Sequence, residues 1–384
     1  MTEPQTRRRS LRLGYGLMGV ILVILAAWAL RGMATVVIPV IFAVFVTLAA
    51  LPLDRAIAGR MPGALTWIGR AVVMLLLLLV LSAFIGGLAY CVTRIAAELP
   101  GLPQDLNEVL PGLMDGAGSG ADGGSGGGSD SAGGIVAAIR GILQERGEMI
   151  FSRVLETGAS LARTIASAMG VVFVGMFLVL FLVLLALSEA DTWEAKLDGM
   201  PSGDGAGWRR ATSTLGRALR RFILTRAFVG VISAAAYSAW IMPFGLDLIL
   251  VWAILTFLMN FIPNVGAVVS GVLPTLYAFF TLDFGTALMI GAGLTVIEQV
   301  IGNWVDPRLQ GNQVALSPVV ILIAVVFWSW LWGVAGAFLG TPMTLAIMIL
   351  CNNVAALRPV ALILSNQPRS ADLDEKLGWA DGTG

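Results

Sequence analysis

The chain has 384 residues, of which 57% are hydrophobic and 12% charged, and its mean hydropathy is +0.87. This composition excludes a soluble globular protein and predicts an all-α polytopic membrane protein with several runs long enough to span a bilayer. Lysine plus arginine balance aspartate plus glutamate at 24 each, so the net charge gives no reason to expect a nucleic-acid partner.

The absence of several residue types and motifs restricts the catalytic and metal-binding chemistry that the chain can perform. There is no histidine, which removes the commonest metal ligand and the histidine-based catalytic pairs. Cys91 and Cys351 lack metal or redox spacing and are expected at opposite membrane faces, so no disulfide is predicted. There is no Walker A motif, and an intramembrane aspartyl protease would need two mid-membrane aspartates that the sequence lacks. We therefore expect no cofactor, no metal and no enzymatic activity.

Residues 1–92 are predicted to contain three transmembrane helices, at 13–30, 36–53 and 68–92. The first run also fits a signal peptide, but the second follows it so closely that we expect an uncleaved pair of helices turning at Arg31 and Gly32. Arginines at positions 7, 8, 9 and 12 place the N-terminus in the cytoplasm by the positive-inside rule.

Residues 93–164 are predicted to form an external polar segment, because they carry many acidic residues and few arginines. The stretch 116–134 is a glycine- and serine-rich tether. Apolar residues then recur at helical spacing from Val136 to Ile165 and predict an amphipathic helix leading into a fourth transmembrane helix, 165–188. We expect this helix to pack on the segment 94–110 or on another subunit; a ligand-binding cap is the alternative.

Residues 189–226 are predicted to be a cytoplasmic loop with a basic amphipathic helix. Arg210, Arg217 and Arg221 share one helical face, and anionic headgroups are expected to hold that face at the membrane surface. A gating role is the alternative, whereas nucleic-acid binding is not expected, because the same arginines lead straight into the next span.

Residues 227–354 are predicted to be the transport core, followed by a cytoplasmic tail at 355–384. After a span at 228–242, two apolar arms flank a break from Pro263 to Gly266, where proline removes a backbone donor and the freed polar groups need partners. Each arm has about 15 residues, or roughly 22 Å of helix, which is less than the hydrocarbon thickness of about 30 Å. These arms, 248–262 and 266–281, therefore predict a re-entrant hairpin.

A span at 284–302 precedes a second pair of arms, 318–332 and 336–351, with the sequence GVAGAFLG at its tip. Both pairs have a G-A-x-x-[SG] pattern, beginning at Gly266 and Gly336, and a proline in the returning arm. They are predicted to enter from opposite faces, as in transporters that build a substrate site from broken helices. Three tryptophans near the second tip favour the alternative that this pair spans fully, since tryptophan prefers the membrane interface.

In total we predict about eight spanning helices plus one or two opposed re-entrant or short helical hairpins.

Few polar residues lie in the predicted transport core. Glu298 is the only carboxylate well inside an apolar run, where its ionised form costs at least about 2.5 kcal/mol. A structural hydrogen bond between helices is the alternative role for Glu298. The predicted solute or ion pathway consists of Asn260, Pro263, Asn264, Gly266, Glu298, Asn303 and Gly336.

Three segments, FLMNFIPNVGAVVSGVLP, VIGNWVDPRLQG and LSPVVILIAVVFWSWLWGVAGAFLGTPMT, resemble the autoinducer-2 exporter family, also called the AI-2E or PerM-like family, and in particular its autoinducer-2 transport proteins. The resemblance covers about residues 205–352, and the first half matches only in layout. It implies a multi-span permease of the bacterial inner membrane that exports autoinducer-2 in some members and is a sodium/proton antiporter in others. The glycine- and serine-rich tract and the sequence FILTRAFVG depart from the family pattern.

The resulting hypothesis is a secondary transporter of a small polar solute such as autoinducer-2, embedded in the lipid bilayer of the inner membrane with both termini in the cytoplasm. A cation/proton antiporter with Glu298 as the exchanging group is the first alternative. A membrane scaffold protein is the second. The sequence leaves open whether the chain forms a homo-oligomer.

Overall fold

A computed structural model describes residues 18, 25–58, 66–98, 174–199, 204–263, 265–310 and 316–379. Within these ranges the backbone is almost entirely helical, and the β-pairing there is confined to an isolated bridge between Leu316 and Ser365. The prediction of an all-α protein is confirmed to this extent. The tether 116–134, the amphipathic helix after it and most of the first apolar run lie outside the described residues.

We number the helices in chain order: α1 Ala34–Ala58, α2 Thr66–Glu98, α3 Val174–Ser188, α4 Ala190–Asp198, α5 Asp204–Ile241, α6 Ile249–Met259, α7 Val265–Thr281, α8 Phe284–Val300, α9 Asp306–Gln310, α10 Pro318–Asn353, α11 Arg358–Leu364 and α12 Ser370–Leu377. A π-helical turn, Ile301–Val305, joins α8 to α9.

Five of the described helices are long and apolar enough to cross a membrane, namely α1, α2, α5, α8 with its π-helical turn, and α10. The helices α3 and α4, bent by 54° at a short break, would count as a sixth if they form one span. Such runs suit a bilayer because every helical backbone group is bonded within its own segment.

The structure changes two predicted boundaries. The basic helix before Arg226 and the span after it form one continuous helix, α5, of 38 residues. At the N-terminal turn predicted for Arg31 and Gly32, the backbone stays helical: the Met33 amide donates to the Ala29 carbonyl and the Val37 amide to the Met33 carbonyl, both at 3.0 Å.

The described residues form two compact units. Unit 1 takes its residues from 1–78, 175–224 and 310–384. Its larger core joins α1, the first half of α5, α10, α11 and α12 around Met348, Ile349 and Leu373, which are fully buried. Gly216 lets α5 approach α1 closely, since a Cβ atom there would lie 2.8 Å from the Leu48 carbonyl oxygen.

Unit 2 takes its residues from 79–174 and 225–309. Its core joins α2, the second half of α5, α6, α7 and α8 around Tyr237, Trp252 and Ile290. Glycines again set the helix spacing: a Cβ atom on Gly230 would lie 3.1 Å from the Phe257 carbonyl oxygen. Small residues at such contacts are typical of helix packing in membranes.

Asp283 caps the N-terminus of α8. Its Oδ1 accepts a hydrogen bond from the Thr286 amide at 3.0 Å, and hydrogen bonds from the Thr286 side chain and amide lower the pKa of the carboxyl group. Asp283→Ala is expected to reduce the free energy of unfolding by about 1 kcal/mol at neutral pH. Since the pKa is lowered on folding, this stabilisation is present above the unfolded pKa and is lost as the pH falls through the folded pKa.

Unfolding of the detergent-solubilised protein at several pH values measures this effect. The difference between wild type and Asp283→Ala should shrink as the pH falls. Asp247→Ala is the matched control, because no side chain caps α6. Equal stability of wild type and Asp283→Ala at neutral pH would contradict the prediction.

Candidate functional site

The helices α6 and α7 form a hairpin whose arms meet at the predicted break. A Cβ atom on Gly266 would lie 1.8 Å from the Met259 carbonyl oxygen, so only glycine fits here. The arm α6 has 11 residues and α7 has 17. At a rise of 1.5 Å per residue these arms are about 17 and 26 Å long, and both are shorter than a hydrocarbon core of about 30 Å.

The helix α10 also folds back on itself, at Trp332 and Gly333. Gly333 has φ 60°, in the region that favours glycine. Beyond it, a Cβ atom on Gly340 would lie 3.2 Å from the Cα atom of Val325, although these residues would be about 22 Å apart in a straight helix. The arms 318–331 and 334–353 therefore lie side by side, and α10 is a second helical hairpin.

The two hairpins have the same construction. Gly336 begins the second returning arm as Gly266 begins the first, and a Cβ atom on Gly336 would lie 1.8 Å from the Trp328 carbonyl oxygen. Each returning arm then carries a buried proline, Pro274 or Pro342. The G-A-x-x-[SG] pattern thus corresponds to a close backbone contact at the start of each returning arm.

The tryptophans of the second hairpin belong mainly to the protein core. Trp328 and Trp332 are each 7% exposed, and the Trp332 indole donates a hydrogen bond to the Leu30 carbonyl at 3.1 Å. Trp330 is 57% exposed. Only one of the three can therefore act as an interface anchor, which weakens the argument for a full span.

The described backbone amides at the first tip are satisfied within the hairpin, whereas the buried Thr256 hydroxyl has no partner among the described residues. The Asn260 side-chain amide donates to the Thr256 carbonyl at 2.9 Å, and Pro263 is buried. Asn264 lies outside the described residues. The backbone amides freed by the break donate to carbonyls of the same turn: Ile262 to Met259 at 2.9 Å, Val265 to Pro263 at 2.8 Å and Gly266 to Ile262 at 2.8 Å. Backbone groups in apolar surroundings must be hydrogen-bonded within the protein, and these amides are bonded within their own turn.

A row of polar side chains crosses the apolar core of unit 2 from this hairpin. The buried Ser270 hydroxyl donates to the Gly266 carbonyl at 2.8 Å and lies within hydrogen-bonding reach of Tyr237. The Tyr237 hydroxyl donates to Glu298 Oε2 at 2.9 Å, and Tyr237 is only 1% exposed. The hairpin on α7 is thereby connected through α5 to the carboxylate on α8.

An ion pair extends this row. Arg226 Nη1 lies 3.4 Å from Asp306 Oδ2, with both side chains largely buried, and both charges act electrostatically on Glu298. The π-helical turn between Glu298 and Asp306 is of a kind often found at functional sites. We call the set the polar chain, and its members are Arg226, Asp306, Glu298, Tyr237 and Ser270.

Two predicted pathway residues are not members of the polar chain. Asn303 is exposed and donates to Gln299 Oε1 at 2.8 Å, on a different side of its helix from Glu298. Gly336 belongs to the second hairpin, in unit 1. Of the predicted residues, the structure brings Glu298 and Gly266 into one connected set, through Tyr237 and Ser270.

Four members of the polar chain were not predicted as site residues. Arg226 is the last residue of the predicted cytoplasmic segment 189–226, and Asp306 lies beyond the end of the predicted span 284–302. The sequence does carry a signal for this face of α5, because Ser233 and Tyr237 follow Arg226 by about two and three helical turns. Ser233 is fully buried, and its hydroxyl has no hydrogen-bond partner among the described residues.

Comparison with known proteins gives one family. The family model described as AI-2E family transporter matches residues 17–356. The AI-2 transport protein TqsA of Escherichia coli K12 is 25% identical over 362 residues, which are 91% of this chain and 94% of TqsA. The "Putative transport protein MT0215" of Mycobacterium tuberculosis is 28% identical over 333 residues, 84% of this chain and 85% of that protein.

A third relative, a "Putative transport protein" of Borreliella burgdorferi, is 29% identical over 197 residues, 50% of this chain and 54% of its own length. The names of these relatives indicate transport rather than an enzymatic reaction. Within the described ranges, no group of three or more acidic or cysteine residues could hold a metal ion. With a family match over most of its length and several membrane-spanning helices, this multi-pass membrane protein belongs to the AI-2E family of transporters.

Proposed function

We propose that the chain is a secondary transporter that exports a small polar solute, such as autoinducer-2, across the bacterial inner membrane, with both termini in the cytoplasm. The polar chain is the observation that carries this proposal. Buried ionisable groups are rare in membrane-spanning helices and commonly mark substrate or proton pathways. The name of TqsA makes autoinducer-2 the first solute to test.

The hairpins fit this role as re-entrant elements. The short arms α6 and α7 favour a hairpin that returns to the membrane face from which it came. Backbone that leaves helical geometry within a membrane is tolerated where protein satisfies it or where it lines a cavity. Broken helices of this kind form the solute sites of several secondary transporters.

Within the polar chain, Glu298 is proposed to carry the proton that couples transport. Ionised, it accepts the hydrogen bond of Tyr237, as in the structure. Protonated, it can itself donate to an oxygen of the solute. The unpartnered Ser233 hydroxyl, on the same helix as Tyr237, offers a further hydrogen bond to a hydroxyl-rich solute.

The Glu298 site also supports a second candidate function, a cation/proton antiporter. The specific observation is that the Tyr237 hydroxyl lies 2.9 Å from the carboxylate and that the Ser270 hydroxyl lies within hydrogen-bonding reach of Tyr237. Oxygen ligands suit hard cations. A scaffold role is less favoured, because a row of buried polar groups costs stability and would serve no function there.

Proteoliposomes that contain the purified chain test the proposed function against its alternatives. A panel of autoinducer-2, other hydroxyl-rich solutes and monovalent cations should give protein-dependent flux of a solute. Proton movement that requires only sodium would support the antiporter. If the vesicles transport none of the solutes or cations on the panel, the proposal that the chain is a transporter is overturned.

Tyr237→Phe tests the polar chain directly. The substitution removes the hydroxyl that bonds Glu298 and keeps the buried ring. A hydrogen bond to a charged group contributes about 1.5–3 kcal/mol, so we expect flux to fall about tenfold or more. Tyr277→Phe in the same core is the matched control and should transport normally. Unchanged flux in Tyr237→Phe, with unchanged pH dependence, would remove this hydroxyl from the pathway.

A further inference from the structure

A cavity of about 780 Å³ lies in unit 1 between α5 and the C-terminal helix α12. Its volume is in the range of small-molecule sites. The charged residues of its wall are Arg217 and Arg221 on α5 and Asp372, Glu375 and Lys376 on α12. None of these residues belongs to the polar chain.

The opposite charges around this cavity do not pair with one another. Among the described residues, neither arginine forms an ion pair with Asp372 or Glu375. Arg217 instead donates to the Thr214 hydroxyl at 2.9 Å. Three cations and two anions thus line the same space, and among the described residues these carboxylates do not directly neutralise either arginine.

Packing holds the walls of the cavity apart. After α12, the Trp379 indole donates to Thr214 on α5 at 3.0 Å, and Trp379 is buried. Leu373 on α12 is fully buried, and the neighbouring Asp374 accepts a hydrogen bond from Asn352 at 2.7 Å. Because these contacts fix α12 against its surroundings, the charged side chains cannot close the gap by moving the helix.

Exposed apolar side chains beside the cavity favour a position at the level of lipid headgroups. Leu224 follows Arg221 by one helical turn and Arg217 by two, so it shares their face, and it is 68% exposed. On α11, just before the cavity residue Gln367, Ile363 is 75% exposed. Arginines followed on one face by exposed apolar residues are typical of a helix at the membrane surface.

We propose that this cavity binds the phosphoethanolamine headgroup of a membrane phospholipid. Arg217 and Arg221 bind the phosphate, and Asp372 and Glu375 accept hydrogen bonds from the primary ammonium group. The site discriminates by charge and by the presence of N–H donors. A phosphatidylglycerol headgroup has no cation for the two carboxylates, and the quaternary ammonium of phosphatidylcholine has no N–H donor for them.

The test uses the full chain reconstituted in nanodiscs with equal amounts of phosphatidylethanolamine, phosphatidylcholine and phosphatidylglycerol. After extraction in mild detergent, native mass spectrometry measures which lipids stay bound. The wild type should retain phosphatidylethanolamine in excess over the other two. The double variant Arg217→Gln, Arg221→Gln should lose this excess, while Arg220→Gln, on the same helix but outside the cavity, should keep it.

The carboxylate variant makes the test sharper. Asp372→Asn with Glu375→Gln leaves the arginines in place, so preference should shift to phosphatidylglycerol. Identical lipid profiles in wild type and both double variants, all confirmed as folded by thermal unfolding, would overturn the proposal. Displacement of the bound lipid by soluble glycerophosphoethanolamine at equal concentration would overturn the lipid as ligand and assign the site to a free zwitterion.

Discussion

Substituting alanine for Gly266 or Gly336 is expected to disrupt the hairpin that contains it. In both places the added Cβ atom would lie 1.8 Å from a backbone carbonyl oxygen, of Met259 or of Trp328. A backbone carbonyl cannot rotate away as a side chain can, so the two arms must separate. Overpacking typically costs about 1–3 kcal/mol, and we expect the upper end or more here, because whole helices must move. Expression level and thermal unfolding midpoint measure the loss.

The matched control for these glycines is Gly86→Ala. Among the residues that the structure describes, no heavy atom would lie within 4 Å of a Cβ atom added to Gly86 in α2. Alanine has the higher helix propensity by about 1 kcal/mol, so this variant should be as stable as wild type or slightly more stable. If Gly266→Ala or Gly336→Ala unfolds at the same temperature as Gly86→Ala, the close contact within that hairpin is contradicted.

Replacing Glu298 by glutamine is expected to abolish proton-coupled transport while the protein still folds. Glutamine keeps the length of the side chain and can still accept the hydrogen bond that Tyr237 donates. It cannot release a proton. Flux driven by a pH gradient should therefore fall to the level of protein-free vesicles, whereas solute-for-solute exchange, which needs no proton release, should continue.

Glu298→Leu separates a coupling role from a structural one. Leucine cannot accept the hydrogen bond that the buried Tyr237 hydroxyl donates to Glu298. An unsatisfied buried polar group costs about 1–3 kcal/mol. If Glu298 is only a structural link between α5 and α8, the glutamine variant should transport normally and the leucine variant should be unstable. Gradient-driven flux that is equal in wild type and Glu298→Gln would rule out coupling through Glu298.

The hairpins were predictable because their signals are local. The break at Pro263 and the glycines at 266 and 336 stand next to one another in the sequence, and short arms follow from counting residues between breaks. In the structure, the segments 318–331 and 334–353 pack side by side, which supports the second hairpin that these local signals predicted. The continuity of α5 was missed because its basic first half was predicted as a separate amphipathic helix at the membrane surface, although no proline interrupts α5.

The polar chain was only partly predictable because its contacts are remote in sequence. Tyr237 and Glu298 form a hydrogen bond although they are 61 residues apart in the sequence, and Arg226 and Asp306 form an ion pair although they are 80 residues apart. Glu298 was found because a carboxylate inside an apolar run is costly by itself. The other members of the polar chain are residue types that commonly occur near helix ends or in apolar cores. Only the tertiary packing brings them together with Glu298.

The most direct measurement of the central claim is the internal pH of vesicles that contain the chain when autoinducer-2 is added without any imposed gradient. Proton-coupled export predicts a pH change that requires protein and solute together and that is absent in Glu298→Gln. Entry of autoinducer-2 with no pH change, or a pH change on adding sodium that autoinducer-2 does not produce, would contradict proton-coupled export of a polar solute.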